Sequence, residues 1–373
     1  MASEHGETVS LFLELAALPS PPGEERAVAD VVLRYLRGLG LEPDEDDAGP
    51  RVGSTIGNIY ARVEATAPGP PLFFCAHLDT VPASGPLEPV LEDGVVRNAG
   101  GTILGADNKS AVAAMLEGVR RVLAENRPHA GIELVFTPKE EVGLQGAAAF
   151  EHERLYAQLG YVYDQAAPIG EIILGAPWAQ ALDVTFHGRA SHAGMFPEEG
   201  RSAIQAAAKA IADLRLGRVD EETTANVGVI TGGAAVNIVP EWCTFQAEVR
   251  CHNERKLSEI VQEMLDACSF AATATECEVE TELRKSYNGY RLKRDEDVVR
   301  LAARALERCG CEPRYALSGG GADANVFNDR GRRCVNMANG MVDIHTPDER
   351  IALADLDTMV EVTLALIEEA RAP

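Results

Sequence analysis

Apolar residues recur along this chain with two periods. Residues 8–19 and 25–39 carry them every three or four positions. In the second segment Val28, Val31, Val32, Tyr35, Leu36 and Leu39 share one helical face, and Gly40 ends it. Asp44–Arg51 reads as an acidic loop. Asn58–Val63 and Leu72–Ala76 are short apolar runs, expected to be neighbouring strands joined by a turn over Ala65–Pro71. Pro82–Gly105 is a Gly-rich loop with room for a short hairpin. Asn108–Leu123 is a helix, Gly131–Thr137 a strand followed by a loop at Pro138–Gly146, and Gly160–Asp164 and Glu171–Leu174 are short strands. Strands alternating with helices imply a mostly parallel sheet covered by helices, an α/β class.

The pattern then changes. Ala181–His187 alternates as a strand, Ser202–Leu214 is helical, Ala225–Thr231 and Thr244–Arg250 are strands, Glu254–Phe270 is a helix, and Glu276–Leu283 alternates again. That order is the signature of a ferredoxin-like α+β unit. It predicts an inserted domain at 179–286 within an α/β domain made of 1–178 and 287–373. After the insertion come helix Asp297–Arg308, strand Arg314–Leu317, a Gly-rich loop at 318–321, helix Ala324–Asn328, strand Cys334–Met337 and a final helix Leu353–Arg371.

Composition narrows the classes. A length of 373 residues suits two or three domains. Lys and Arg number 34 against 58 Asp and Glu, a net charge of −24, which argues against nucleic acid and anionic membranes as partners and suits a protein that holds cations. The 8 cysteines form no Cys-x-x-Cys pair. They read as reduced and buried in a cytoplasmic protein. Leu11–Leu18 is broken by Glu14, as in an amphipathic helix rather than a signal peptide. No apolar run approaches the roughly 20 residues that span a bilayer.

Candidate chemistry gathers where strands end. Leu72–Pro82 reads Leu-Phe-Phe-Cys-Ala-His-Leu-Asp-Thr-Val-Pro, a buried strand that delivers His77 and Asp79 to one face. Open α/β sheets place ligands at that edge. Four further stretches end in possible metal ligands. Asp107 lies in Gly-Ala-Asp-Asn-Lys, where capping the helix is the plainer reading. Glu140 and Glu141 lie in Thr-Pro-Lys-Glu-Glu-Val-Gly; in extended chain their side chains part, one toward a metal and one toward water, although a solvated pair is common. Asp164 closes the apolar strand Gly-Tyr-Val-Tyr-Asp and needs a partner or solvent. His345 lies in Asp-Ile-His-Thr-Pro. Mixed imidazole and carboxylate ligation suits zinc, with cobalt or manganese as alternatives. Three carboxylates and a hydroxide balance two divalent ions.

The ordered strings His-Leu-Asp-Thr-Val-Pro, Gly-Ala-Asp-Asn-Lys-Ser, Thr-Pro-Lys-Glu-Glu-Val-Gly, Tyr-Val-Tyr-Asp-Gln, Gly-Arg-Ala-Ser-His-Ala-Gly and Asp-Ile-His-Thr-Pro resemble the M20 family of di-zinc metallopeptidases. Within it the chain is most similar to the peptidase T-like tripeptidases, and the resemblance spans essentially the whole chain. It implies that His77 and His345 each bind one metal, that Asp107 bridges both, and that Glu141 and Asp164 complete the two spheres. It implies that Asp79 orients His77 and that Glu140 is the general base. The peptide bond after the bridging aspartate, here Asp107–Asn108, is often cis in the family. In the inserted domain His192 would reach a partner's active site to stabilise the oxyanion, which implies a homodimer formed through that domain. Asn237 and Arg250 resemble substrate-binding positions, and the run Gly319-Gly320-Gly321 would let a substrate backbone approach closely at Gly320, with an ordinary flexible loop as the rival reading. The expected activity is release of the N-terminal residue from tripeptides. A carboxypeptidase, dipeptidase or N-acyl-amino-acid deacylase is the alternative within the family, and a non-catalytic binding protein the alternative outside it.

Overall fold

The computed structural model describes residues 6–371. They form two compact units, one made of everything before Pro177 and after Gly289, the other of Pro177–Gly289.

The first unit is built on a nine-stranded mixed sheet. Across it run Asp44–Glu45, Ile59–Val63, Ile132–Thr137, Leu72–His77, Leu159–Gln165, Arg333–Ala338, Glu171–Ala176 and Tyr290–Arg291, with Arg314–Leu317 also paired to Glu171–Ala176. The four central strands are mutually parallel. Leu72–His77 and Ile132–Thr137 are buried at every position, as strands covered on both faces must be.

The strands at 59–63 and 72–77 are not neighbours, contrary to the expectation from sequence. Ile132–Thr137 lies between them, antiparallel to the first and parallel to the second. Ile59–Val63 alternates between covered and open positions, so it belongs nearer the sheet margin, and the wholly buried strand takes the place inside it. Asp44–Arg51 is also more ordered than a loop. Asp46 accepts the N–H groups of Ala48 at 2.9 Å and Asn58 at 2.8 Å, and a one-turn helix forms over Ala48–Val52. Within 82–105 a hairpin joins Pro89–Glu92 to Val95–Asn98 through Asp93 (φ 50°) and Gly94 (φ 78°). Two left-handed residues are what a tight two-residue hairpin turn requires. Arg350–Ala352 adds a third strand to it.

Helix Ala106–Ala124 is buried along most of its length and packs against the C-terminal helix Leu353–Glu369. Gly118 permits the approach, since a Cβ there would stand 2.7 Å from Thr363 Cγ2. The peptide bond between Asp107 and Asn108 is cis, and the regular helix begins only beyond Asn108.

The second unit is a five-stranded antiparallel sheet in the order Gly217–Asp220, Thr223–Gly232, Trp242–Cys251, Trp178–His187, Glu278–Tyr287. Helices Ala203–Asp213 and Glu254–Thr275 pack on it, capped by Ser202 and Asn253. The last four strands and two helices make the ferredoxin-like unit. The short edge strand Gly217–Asp220 is additional and too polar to show as a strand pattern. Each unit has its own apolar core. All eight cysteines are free thiols. Among the described residues no helix is long and apolar enough to cross a membrane.

Candidate metal centre

The parallel strands of the first unit carry their chemistry at their C-terminal ends. His77 is the last residue of its strand, Glu140 and Glu141 follow Ile132–Thr137, Asp164 stands near the end of Leu159–Gln165, and the His345 loop follows Arg333–Ala338. His77 Nδ1 lies 2.9 Å from the carbonyl oxygen of Asp79. A carbonyl only accepts, so Nδ1 carries a proton and Nε2 is turned toward the carboxylates. Nε2 stands 3.1 Å from Asp107 Oδ1 and 3.7 Å from Asp164 Oδ1. His345 Nε2 stands 3.2 Å from Asp107 Oδ2 and 3.0 Å from Glu141 Oε1. The two oxygens of Asp107 thus face different imidazoles. Donor atoms of His77, Asp107 and Glu141, and of His77, Glu140 and Asp164, lie within 4.8 Å of one another.

This donor set fits divalent cations. Zinc bonds of about 2.0–2.2 Å place tetrahedral neighbours roughly 3.3–3.5 Å apart, and the N···O separations of 3.0 to 3.7 Å straddle that range. A lone pair on imidazole Nε2 facing a carboxylate oxygen at 3.1 Å is repulsive unless positive charge sits between them.

The electrostatics show the same demand. Burial opposes charge on His77, yet the carboxylates of Asp107, Asp164 and Asp79 around it hold its pKa well above the usual value. Hydrogen bonds to Asp107 and Glu141 raise His345 to about 10. Burial, then the charge of Asp107, raises Asp164 to about 7. Burial and then Asp164 push Glu140 well above the carboxylate range. Burial works against the ionised form of Asp107 as well, but its two imidazole partners hold it below the usual range.

Asp79 reaches both His77 and the glutamate pair. Its main-chain carbonyl accepts from His77 Nδ1 at 2.9 Å, and its carboxylate oxygen Oδ1 is 3.5 Å from the same nitrogen. That carboxylate also accepts the N–H groups of Glu140 at 2.9 Å and Glu141 at 3.1 Å. The glutamate pair does not lie in extended chain. Lys139 is left-handed (φ 55°), and the carbonyl of Glu140 accepts from Gly143 and Leu144, so a turn aims the two side chains.

Three supporting residues escape a reading of the sequence. Asn336 bonds both the N–H and the carbonyl of Asp164, each at 2.8 Å. Asp323 is buried and accepts from Thr137 Oγ1 at 2.5 Å and Cys75 Sγ at 3.5 Å, beneath the strands that deliver the glutamates and His77. Glu349 is buried and accepts the N–H groups of Leu104, Gly105 and Asp107. The one available signal was polar residues inside apolar surroundings, as in Cys-Val-Asn-Met for Asn336.

Gly320 lies in the bend ahead of Asp323, its N–H on Ser318 Oγ at 3.1 Å. His192, Asn237 and Arg250 belong to the second unit. His192 Nδ1 accepts from the N–H groups of Gly194 and Met195 at 3.2 and 3.1 Å, so the proton sits on Nε2. Asn237 is on the adjoining loop, its carbonyl accepting from Ala193 at 3.0 Å. Arg250 donates through Nε to Glu248 at 2.6 Å.

An α/β unit presenting imidazoles and carboxylates at one sheet edge, interrupted by a ferredoxin-like insertion, is the build of a metal-dependent peptidase. The chain belongs to peptidase family M20/M25/M40, whose model matches residues 73–369, and it is a peptidase T-like hydrolase of that metal-dependent family. The crystal structure of aminopeptidase PepT from Bacillus cereus is 37% identical, with a TM-score of 0.88 and 98% of each chain covered. That of a tripeptidase from Staphylococcus aureus is 34% identical, with a TM-score of 0.92 and the same 98% coverage of both. An uncharacterised Bacillus subtilis protein, YqjE, is 37% identical over 96% of this chain and 97% of its own length.

Proposed function

We propose that this chain is a two-metal aminopeptidase that releases the N-terminal residue of tripeptides. The observation that carries the reading is Asp107, which offers one oxygen toward His77 and the other toward His345. In this reading His77, Asp107 and Asp164 hold one cation and His345, Asp107 and Glu141 the other. Zinc is the proposed metal, and cobalt or manganese suits the same donors. Bound there, the ions would lower the pKa of water and polarise the scissile carbonyl.

The chain's own groups do the rest. Glu140 takes the proton of the attacking water and returns it to the departing amine. Its burial beside Asp164 raises its proton affinity, the right direction for a base that must hold a proton between steps. Asp79 keeps Glu140 aimed through the backbone. His192, with its proton on Nε2, is fitted to donate to the developing oxyanion. Asn237, Arg250 and Gly320 are proposed to hold the peptide. Similarity to the solved aminopeptidase and tripeptidase supports the substrate class.

A homodimer through the second unit belongs to the same reading. Strand Thr223–Gly232 is paired by Gly217–Asp220 only as far as Ala225, and Val229 and Ile230 beyond it are about half exposed. Free thiols throughout support a reducing, cytoplasmic setting.

The test is hydrolysis by zinc-loaded protein of a free tripeptide beside its N-acetylated and C-amidated forms. An aminopeptidase loses the N-blocked substrate and keeps the amidated one. The reverse result replaces it with a carboxypeptidase or deacylase, and no hydrolysis of any substrate favours a binding protein. Glu140→Ala should keep its metal content and lose about 10²–10⁴ in kcat; an unchanged kcat removes Glu140 from the base role.

A further inference from the structure

The segment that carries His345 is stapled at its own base. Val342 and Arg350 exchange backbone hydrogen bonds at 3.0 and 3.1 Å, and Arg350 pairs with Asp343. Inside the loop Asp343 and His345 are left-handed (φ 54° and 63°), Thr346 Oγ1 donates to the carbonyl of Asp343 at 2.7 Å, and the N–H of Glu349 reaches the carbonyl of Thr346 at 3.2 Å. From the foot of this loop Glu349 turns inward to 2% exposure. There Oε2 accepts from Leu104 at 2.8 Å and Gly105 at 2.9 Å, and Oε1 accepts from Asp107 at 3.0 Å. Asp107 in turn meets His345 Nε2 at 3.2 Å. The chain therefore closes a ring: Glu349 to the Asp107 backbone, the Asp107 side chain to His345, and the His345 loop back to Glu349.

We infer that Glu349 is a positioning residue that ties the His345 loop to the Asp107 loop before any cation arrives, and that it selectively sets affinity at the His345 side of the centre. The inference rests on the two-metal reading. On the other side, His77 and Asp164 stand on paired strands of the central sheet and share only Asp107 with this ring. His345 stands on a loop, 44% exposed, and its placement over Asp107 depends on what anchors that loop. A carboxylate suits the task because both oxygens accept. A glutamine in either orientation presents its NH₂ to one or two of the three N–H donors.

The test is zinc titration of metal-free wild type and Glu349→Gln by calorimetry, with stoichiometry after dialysis by elemental analysis. Wild type should take up two ions. E349Q should keep one step unchanged and weaken the other at least tenfold. Two unchanged steps, or both weakened alike, overturn the inference. A wild type that takes up fewer than two ions instead overturns the two-metal reading itself. Hydrogen exchange on metal-free wild type needs no folded variant. The amides of Leu104, Gly105 and Asp107 should be protected without zinc and change little when it is added. Fast exchange that zinc slows means the metal builds the loop, and ends the inference.

Discussion

Asp323 shows how far a single side chain departs from its ordinary chemistry beneath this site. Burial, against the bond from Thr137, raises its pKa from 3.8 to about 6. The folded state thus keeps its proton to higher pH than the unfolded chain does. Ionised Asp323 costs stability as pH rises through that window, and the cost is complete above the folded value. An asparagine can still accept from Thr137 but carries no charge. In metal-free protein Asp323→Asn should therefore gain on wild type between pH 4 and pH 8, by about 2 kcal/mol, measured by urea unfolding at both values. A gain that shrinks as pH rises would show Asp323 stabilised as the anion. At this scale the ligand candidates were legible because imidazoles and carboxylates at strand ends stand out from apolar surroundings. Asp323 and Glu349 were not. A carboxylate that accepts from buried donors, a hydroxyl and a thiol at Asp323 and backbone N–H groups at Glu349, looks, as a letter, like any solvated one. Asp79 was placed beside His77, but nothing in a sequence tells whether an aspartate uses its side chain or its carbonyl.

Among the elements, the pairing of Leu72–His77 with Leu159–Gln165 leaves little room for a side chain. Phe73 lies opposite Gly160, and a Cβ on Gly160 would stand 2.0 Å from the Phe73 ring. That ring also packs on Phe327 at 4.7 Å between centroids, so it has little room to yield. Gly160→Ala should destabilise the first unit by about 3 kcal/mol, read by chemical denaturation; an unaltered midpoint would show the ring free to move. Strand positions were readable from apolar runs and alternation, but strand order was not. Ile59–Val63 and Leu72–His77 are close in sequence yet separated by a strand from much later in the chain, because burial on two faces outweighed proximity. The Asp93–Gly94 turn was the opposite case, where local chemistry alone determines the hairpin.

For the whole molecule, two separate cores imply two separable melting events. The proposed cations bind only groups of the first unit. A metal present at a hundred times its dissociation constant stabilises by about 2.7 kcal/mol, or roughly 5 °C for a unit of this size. Chelation should lower one calorimetric transition by about that amount and leave the other in place. Equal movement of both would show that the units melt as one.

The seam between the units has a consequence for how such a chain can arise. The segment that leaves the first unit at Ala176 and the one that returns at Tyr290 are adjacent antiparallel strands, with those two residues directly opposite. Opposed residues in such a ladder are only about 5 Å apart. A turn of a few residues would seal the gap, and no strand of the larger sheet would lose its place. The hydrolase scaffold is thus already a closed circuit with a whole module spliced into one hairpin, and modules of other shapes could occupy the same splice point without redrawing the catalytic sheet.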